Sequence, residues 1–381
     1  MHILVDGIHL SHRAKGVGLY TRHVLERWME LDPDLRCTVV IRGDRPAPEL
    51  PPRCRPHPVP WRNHLWFGYR SLPQAVQRIE PDGVWMPCDT PTGALAAPFA
   101  MVCHDIPREL QRAQEEGGSR RSLPGRLRDR LSSRLWAKTL GRAERVFCNS
   151  HYVADHLTKN FGILASRTTL APCAPGTDYE SLSRHVDPDA VRQRLESPNG
   201  YILTFYTGDP RENPRIVPQV FDRLARSDSP PTLVVAGLGP DERAELENLY
   251  RPFPWFDRLR FEPFFGPDQK QDLAALYTSA SVYFDPTLQE GFGMQVVEAM
   301  ACGTPVVCSD RSALPEVTDG AAQLVDPTDS EAMAEALGRV LQDEDLRRTM
   351  VERGRRRARD FDWDQTAKTI LEGVHQMVAA S

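Results

Sequence analysis

The 381-residue chain carries 47 basic and 52 acidic side chains, a formal net charge of −5, with 40% hydrophobic and 26% charged residues. That balance excludes a general nucleic-acid footprint, which needs a basic surface, and the composition excludes a disordered or fibrous chain. At roughly 100–200 residues per domain the length predicts two domains, each large enough to bury a core without staples or metal.

The opening Met1-His2-Ile3-Leu4-Val5-Asp6 has no basic region followed by an apolar one, so it predicts a first strand rather than a signal peptide. No apolar run approaches the ~20 residues that span a bilayer. The expectation is a cytoplasmic protein, at most peripheral to the inner face of a membrane. Cys37, Cys54, Cys88, Cys103, Cys148, Cys173, Cys302 and Cys308 form no Cys-x-x-Cys pair and sit mostly in apolar runs. They predict buried thiols in a reducing compartment.

Candidate strands follow at 3–5, 37–41, 83–86, 99–103, 145–148 and 168–171, then at 201–206, 232–236, 259–261, 281–284, 305–308 and 323–325. Segments of helical period lie between them, at 18–31, 126–140, 214–226, 269–278 and 293–301. Strands alternating with helices predict parallel sheets with crossover helices, an α/β doubly wound architecture. The pattern occurs twice around the polar stretch 176–200, which sets an N-terminal domain at 1–190, a second at 191–362 and a terminal amphipathic helix at 363–381. Ligands of such sheets gather beyond the carboxyl ends of the strands.

The most informative segment begins where a strand ends at Asp285-Pro286. A polar loop carries Glu290, Gly291-Phe292-Gly293 turns the chain, and a helix continues through Val296, Val297, Glu298, Ala299 and Met300. A glycine-bordered turn at a helix start exposes N–H groups suited to phosphate, and glycine lets a ligand approach the main chain. Glu290 and Glu298 so placed can grip hydroxyls at separate points of one elongated ligand, such as a ribose and a hexose joined by a diphosphate. By spacing alone a glycine-rich turn with solvated glutamates fits equally well.

The run Glu290-Gly291-Phe292-Gly293-Met294-Gln295-Val296-Val297-Glu298-Ala299-Met300-Ala301-Cys302-Gly303-Thr304-Pro305-Val306-Val307 closely resembles the signature of glycosyltransferase family 4, two glutamates separated by seven residues and then Ala-Met-Ala-x-Gly-x-Pro-Val-Val. The resemblance covers nearly the whole chain. Gly16-Val17-Gly18-Leu19-Tyr20 looks like the family's N-terminal glycine loop, and Ser312-Ala313-Leu314-Pro315-Glu316-Val317 and Phe361-Asp362-Trp363 match as well. It implies a GT-B fold: two facing Rossmann-like domains with an interdomain cleft, the first for the acceptor, the second for a nucleotide diphosphate sugar, and a last helix crossing back to the first. It implies that Glu298 holds the ribose hydroxyls and Glu290 a hydroxyl of the donor sugar. Main-chain groups of Gly291, Phe292, Gly293 and Met294 would meet the sugar and diphosphate, and Gly16, Val17 and Gly18 would approach the diphosphate. Transfer of a hexose with retention is implied, with no cofactor beyond the donor substrate and no bound metal. The acceptor would be a glycan, a lipid-linked sugar or a small molecule. The His104-Asp105 and Leu314-Pro315-Glu316-Val317 segments lean towards mannosyl- and rhamnosyl-type members that build surface polysaccharides. The donor stays open among GDP-mannose-like, UDP- and dTDP-sugars, glucosyl and acetamido sugars included.

The chain departs from the family at the segment after the 201–206 strand. Where the family has an Arg and a Lys facing the diphosphate, Gly208 is followed by Asp209, and Glu212 takes the lysine's place. A carboxylate beside a diphosphate repels it. Arg211 or Arg215 swinging in is the favoured replacement, since Arg clamps phosphate bidentately. A different leaving group, another cation or weak catalysis are the alternatives.

Val102-Cys103-His104-Asp105 ends a strand of the first domain. A histidine there is ordinarily structural, but the family places a His-Asp pair at this point with the His near the transferred sugar, which makes His104 a candidate catalytic residue. Ser150 is an N-cap and an acceptor-side candidate. Asp-x-Asp sequences at 32–34, 187–189 and 362–364 read as turns or caps. A basic run from Arg120 through Arg121, Arg126, Arg128, Arg130, Arg134, Lys138 and Arg142 to Arg145 interleaves with leucines at four-residue spacing. It reads as the solvated face of a core-packed helix, with contact to an anionic membrane surface or a phosphorylated acceptor as the alternative. Trp61, His64, Trp66, Phe67 and Tyr69 form an aromatic loop, for packing or for an acceptor pocket. Two other functions stay open: a degenerate non-catalytic partner, and a sugar-nucleotide epimerase. A nicotinamide dehydrogenase is disfavoured, because Gly16-Val17-Gly18 lacks the third glycine of that fingerprint.

Overall fold

The computed structural model describes residues 1–10, 16–106, 123–175, 179–227, 229–266 and 269–381. Its contacts divide the chain into two units, Met1–Gly176 with Asp362–Ser381, and Thr177–Phe361.

The first unit contains β1 (His2–Asp6), α1 (Val17–Leu31), β2 (Arg36–Arg42), β3 (Cys54–Val59), α2 (Leu72–Ile79), β4 (Gly83–Met86), β5 (Phe99–Cys103), α3 (Leu123–Arg142), β6 (Arg145–Cys148), α4 (His151–Phe161) and β7 (Thr168–Leu170). The strands form one parallel sheet in the order β3-β2-β1-β4-β5-β6-β7. Parallel sheets are covered on both faces, so their strands read as continuous apolar runs, and every residue of β4 and β5 is buried. β3 is the strand that sequence pattern misses. Pro56 and Pro58 sit on this edge, where main-chain hydrogen bonds reach β2 through Arg53 and Val59 carbonyls. The prolines alternate with those positions, so the N–H groups they lack would have faced the open edge.

The second unit contains β8 (Tyr201–Phe205), α5 (Val217–Leu224), β9 (Thr232–Leu238), α6 (Pro240–Tyr250), β10 (Leu259–Pro263), α7 (Lys270–Ser279), β11 (Val282–Asp285), α8 (Met294–Cys302), β12 (Val306–Ser309), β13 (Gln323–Val325), α9 (Ser330–Gln342) and α10 (Glu344–Ala358). Its sheet is also parallel, ordered β10-β9-β8-β11-β12-β13. The strand order reverses between β8 and β11, and in the first unit between β1 and β4. Open α/β sheets bind ligands at such reversals, outside the carboxyl ends of the strands.

The terminal helix α11 (Trp363–Ala379) belongs to the first unit. Asp362 caps it, and Trp363, Ala367, Ile370, Val374 and Met377 are buried. The Trp28 indole donates to the Ala367 carbonyl at 2.9 Å, and Trp363 to the Pro175 carbonyl at 3.1 Å. Gly373 permits this packing, since a Cβ there would lie 2.7 Å from Phe147.

The first boundary differs from the one expected at 190. The polar stretch that reads as a linker contains the helices Tyr179–Ser183 and Pro188–Arg194, and both pack on the second unit. Arg194 pairs with Glu262 at 2.7 Å and Arg192 donates to the Ser279 carbonyl at 3.2 Å. In the basic run, Arg120, Arg121 and the side chains of Arg126, Arg128 and Arg130 lie outside the described residues. Trp136 and Leu140 are buried as the stripe requires, whereas Leu131 is 55% exposed. Arg142 donates to main-chain carbonyls of Thr92 and Lys138, and Arg145 to Gln376. These two cations therefore serve internal contacts rather than an anionic surface, and membrane contact gains no support. Among the described residues no helix is long and apolar enough to cross a membrane.

Candidate donor site

The turn between β11 and α8 is held from three sides. Gly293 caps α8 at φ +97°, where a Cβ would come within 2.5 Å of Leu314. No side chain caps the helix, so its first N–H groups remain available at the positive end of the helix dipole. Ser312 and Ala313, in the loop after β12, fix the main chain of Glu290. The Glu290 N–H donates to Ser312 Oγ at 2.9 Å, and the Ala313 N–H to the Glu290 carbonyl at 3.3 Å. Phe292 is 3% exposed and meets Phe361 edge-on at 5.1 Å. Its side chain is a packing group, so only its main chain is placed for a ligand. The structure thus brings Glu290, Gly291, Phe292, Gly293, Met294 and Glu298 together on one strand-turn-helix.

Glu298 is half-buried in α8. The Tyr277 hydroxyl donates to its Oε2 at 3.0 Å. Burial pushes its carboxyl up to about 7 against the hydrogen bonds of Tyr277 and Tyr179 and the positive charge of Lys270. Asp285, where β11 ends, is likewise pushed up to about 6 by burial.

The loop after β8 explains the departure from the expected basic segment. Gly208 adopts φ +92°, and a Cβ would approach Glu242 to 3.2 Å. Asp209 and Glu212 form a reciprocal capping box on the turn Pro210–Glu212. Glu212 accepts from the Thr207 N–H and hydroxyl, both at 2.7 Å, and from the Asp209 N–H at 3.3 Å. Its carboxylate closes the turn, and desolvation raises its pKa. Arg211, the favoured phosphate clamp, pairs with Asp209 at 2.9 Å. The carboxylate two residues away thus holds the guanidinium, which would have to leave Asp209 to swing in as a phosphate clamp. Arg215 is exposed just before α5. The loop is sewn to the β11 loop, since the Arg211 carbonyl accepts from the Leu288 N–H at 2.7 Å and Asn213 donates to the Pro286 carbonyl at 3.1 Å. Asp209→Asn keeps an oxygen for the Arg211 N–H but removes the charge. We expect nucleoside diphosphate affinity to rise roughly two- to fivefold at low salt, the worth of one partly exposed ion pair, with the gain fading as salt rises. Titration calorimetry at two ionic strengths checks this.

In the first unit, α1 starts at Val17 behind Gly16, whose φ is +38°, again with no side-chain cap. Gly16, Val17 and Gly18 therefore form an uncapped helix start beyond the carboxyl end of β1. His104 follows β5. Its Nε2 lies 2.8 Å from the Pro87 carbonyl, an acceptor only, so Nε2 carries the hydrogen and Nδ1 is left as an acceptor. Burial pushes the ring down to about 4, so it is neutral near pH 7. It meets Tyr20 edge-on at 4.7 Å, and its carbonyl accepts from Asn149. Ser150 accepts from the Val153 N–H and caps α4. The aromatic loop is divided: Phe67 is buried, while Tyr69 is 40% exposed and His64 stacks on His9 at 5.6 Å.

Tyr277, Tyr179 and Thr207 are residues around the site that pattern did not single out, whereas Ser312 lies in the stretch 312–317 that the resemblance covers. The first three come from separate elements and share no period with the glutamates, so local spacing carries no signal for them. Among the described residues no group of His, Cys, Asp or Glu is arranged to hold a metal ion.

Two parallel sheets, of seven and six strands, each with a helix start that no side chain caps, define a two-domain doubly wound α/β protein. Residues 14–178 match the family model "Glycosyltransferase Family 4", and residues 188–357 match "Glycosyl transferases group 1". The chain belongs to the family 4-like glycosyltransferases of the GT-B fold. It is similar to the O-antigen chain mannosyltransferase B of Escherichia coli, 30% identical over 61% of this chain and 61% of that one. It is also similar to the D-inositol 3-phosphate glycosyltransferase of Salinispora tropica, 33% identical over 64% of this chain and 53% of that one. The chain thus spans under two thirds of these relatives' lengths. Anabaena HepE in complex with UDP has the same fold, with a TM-score of 0.73 at 18% identity over 98% of this chain and 99% of that one.

Proposed function

We propose that this protein is a hexosyltransferase that moves a sugar, with retention, from a nucleotide diphosphate donor to a hydroxyl of a glycan, a lipid-linked sugar or a small molecule. The observation that carries the reading is the pinned turn from Glu290 to Glu298, whose glutamates and uncapped N–H groups suit a sugar, a diphosphate and a ribose in sequence. The mannosyltransferase relative and the UDP-bound HepE support the donor class. Glu298 accepts from the ribose hydroxyls, and Glu290 from a hydroxyl of the transferred sugar. The helix start of α8 stabilises the diphosphate charge that grows as the bond to the anomeric carbon breaks. The acceptor oxygen forms the new bond on the same face, and its proton passes to the departing diphosphate. Neutral His104 contributes as a hydrogen-bond acceptor through Nδ1 and supplies no positive charge.

The Arg211–Asp209 pair favours one other reading, a degenerate partner that has lost its phosphate grip. Thermal stabilisation by UDP, GDP, dTDP and their sugars separates the two, because a ligand that binds the folded state raises its melting point by mass action. The transferase reading predicts a rise of several degrees with one nucleotide series and slow donor hydrolysis without acceptor. Failure of every nucleotide to bind would favour the partner. A changed sugar nucleotide without acceptor would identify an epimerase.

A further inference from the structure

The Glu298 carboxylate is held by a side chain from outside its own helix. Tyr277, on α7, is fully buried and reaches Glu298 Oε2 at 3.0 Å. Tyr179, from the short helix Tyr179–Ser183, is 4% exposed, and its phenol lies near enough to the same carboxylate to act on its charge. The two rings meet edge-on at 6.2 Å, and Tyr277 also packs on Phe205 at 5.6 Å and Tyr283 at 5.8 Å. The Tyr277 carbonyl accepts from the Thr304 hydroxyl at 2.7 Å, which ties α7 to the end of α8. A carboxylate accepts at about four sites, so the Tyr277 phenol restrains its rotamer and leaves acceptor capacity for a ligand's hydroxyls. The other ionisable groups acting on it are Lys270 at the start of α7, Cys302 on its own helix and Tyr283 on β11.

We propose that Tyr277, braced by the Tyr179 ring, is a positioning residue for donor recognition, which holds Glu298 in the orientation that accepts the ribose hydroxyls of a nucleoside diphosphate. The proposal rests on the donor-site reading above. Without the phenols, a carboxylate among aromatic rings is free to turn and easier to protonate. Tyr277 donates to the ionised form, and both phenols favour it and so lower its pKa, against burial that raises it to about 7. Nucleotide affinity should therefore fall as pH drops through neutrality, and losing a phenol should move that fall to higher pH.

The test measures dissociation constants of UDP and GDP by titration calorimetry from pH 5.5 to 8.5 for the wild type, Tyr179→Phe, Tyr277→Phe and Glu298→Gln. For the nucleotide that binds, Tyr277→Phe should weaken affinity at pH 7 by roughly tenfold, the effect of losing one hydrogen bond to a charged group. In each Phe variant the acid limb should move to higher pH, and in turnover the donor KM should rise with kcat nearly unchanged. Glu298→Gln should bind weakly at every pH. Phe variants with wild-type affinity and an unmoved limb would overturn the positioning role and leave the donor site standing, provided Glu298→Gln is weak. Unchanged binding by Glu298→Gln, or no nucleotide binding to the wild type, would overturn both. If Tyr277→Phe unfolds on melting, Tyr179→Phe decides the outcome alone.

Discussion

Glu298→Gln is expected to weaken nucleoside diphosphate binding by roughly thirty- to a hundredfold while leaving the folded protein at least as stable as the wild type. The affinity loss follows from exchanging a charged acceptor of ribose hydroxyls for a neutral one, about 2–3 kcal/mol. The stability change runs the other way. Burial raises the Glu298 carboxyl to about 7, above the ordinary carboxylate value. The folded state therefore binds a proton that the unfolded chain has released between about pH 4.5 and 7. Glu298 makes the protein gain stability as pH falls through that window, and keeps it less stable than a neutral residue would above it. Gln removes the buried charge and that slope. Opposite signs for affinity and stability mark a residue kept for binding rather than for folding. Calorimetric Kd values and melting curves at pH 5 and pH 8 check both parts. A Gln variant that lost stability and kept its affinity would make Glu298 a structural group.

Gly293→Ala is expected to weaken donor binding on the order of a hundredfold while the protein still folds. The φ of +97° strains any L side chain, and the new Cβ would lie 2.5 Å from Leu314. Strain of about 1–3 kcal/mol and a clash of similar size must be relieved by moving the turn or the Leu314 loop. Either movement displaces Glu290, because Ser312 and Ala313 grip its main chain. A shift of about 1 Å in such a site costs on the order of a hundredfold. Gly320→Ala provides the control, since Gly320 also has positive φ, at +75°, but nothing within 4 Å of its absent Cβ. It should lose some stability and keep donor binding. Far-UV dichroism with nucleotide titration of the two variants makes the comparison.

The parallel sheets are legible in the sequence because strands buried on both faces are apolar throughout, as in Phe99–Cys103 and Thr232–Leu238. β3 is not legible, since proline is tolerated only through its edge position, and a position within a sheet has no local signature. The polar stretch between the units misleads for a related reason. Its charges form caps and pairs, such as Asp187 on Pro188–Arg194 and Glu180 with Arg359 at 2.7 Å, which composition cannot distinguish from solvation. The glutamates and glycines of the donor turn are legible as a contiguous motif. Tyr277, twenty-one residues before Glu298, is brought in by the fold and has no local signature, while Ser312 lies in a matching stretch whose hold on Glu290 only the structure shows. Arg211 shows the limit most plainly. Its residue type suits phosphate, but its charge is already committed to Asp209.

Determining the structure of the protein with the nucleotide sugar that gives the largest thermal shift tests the central claim most directly. The account predicts ribose oxygens within hydrogen-bonding distance of Glu298, a sugar hydroxyl on Glu290, and the diphosphate at the first N–H groups of α8. A ligand bound elsewhere in the chain, with both carboxylates touching none of it, would contradict the account.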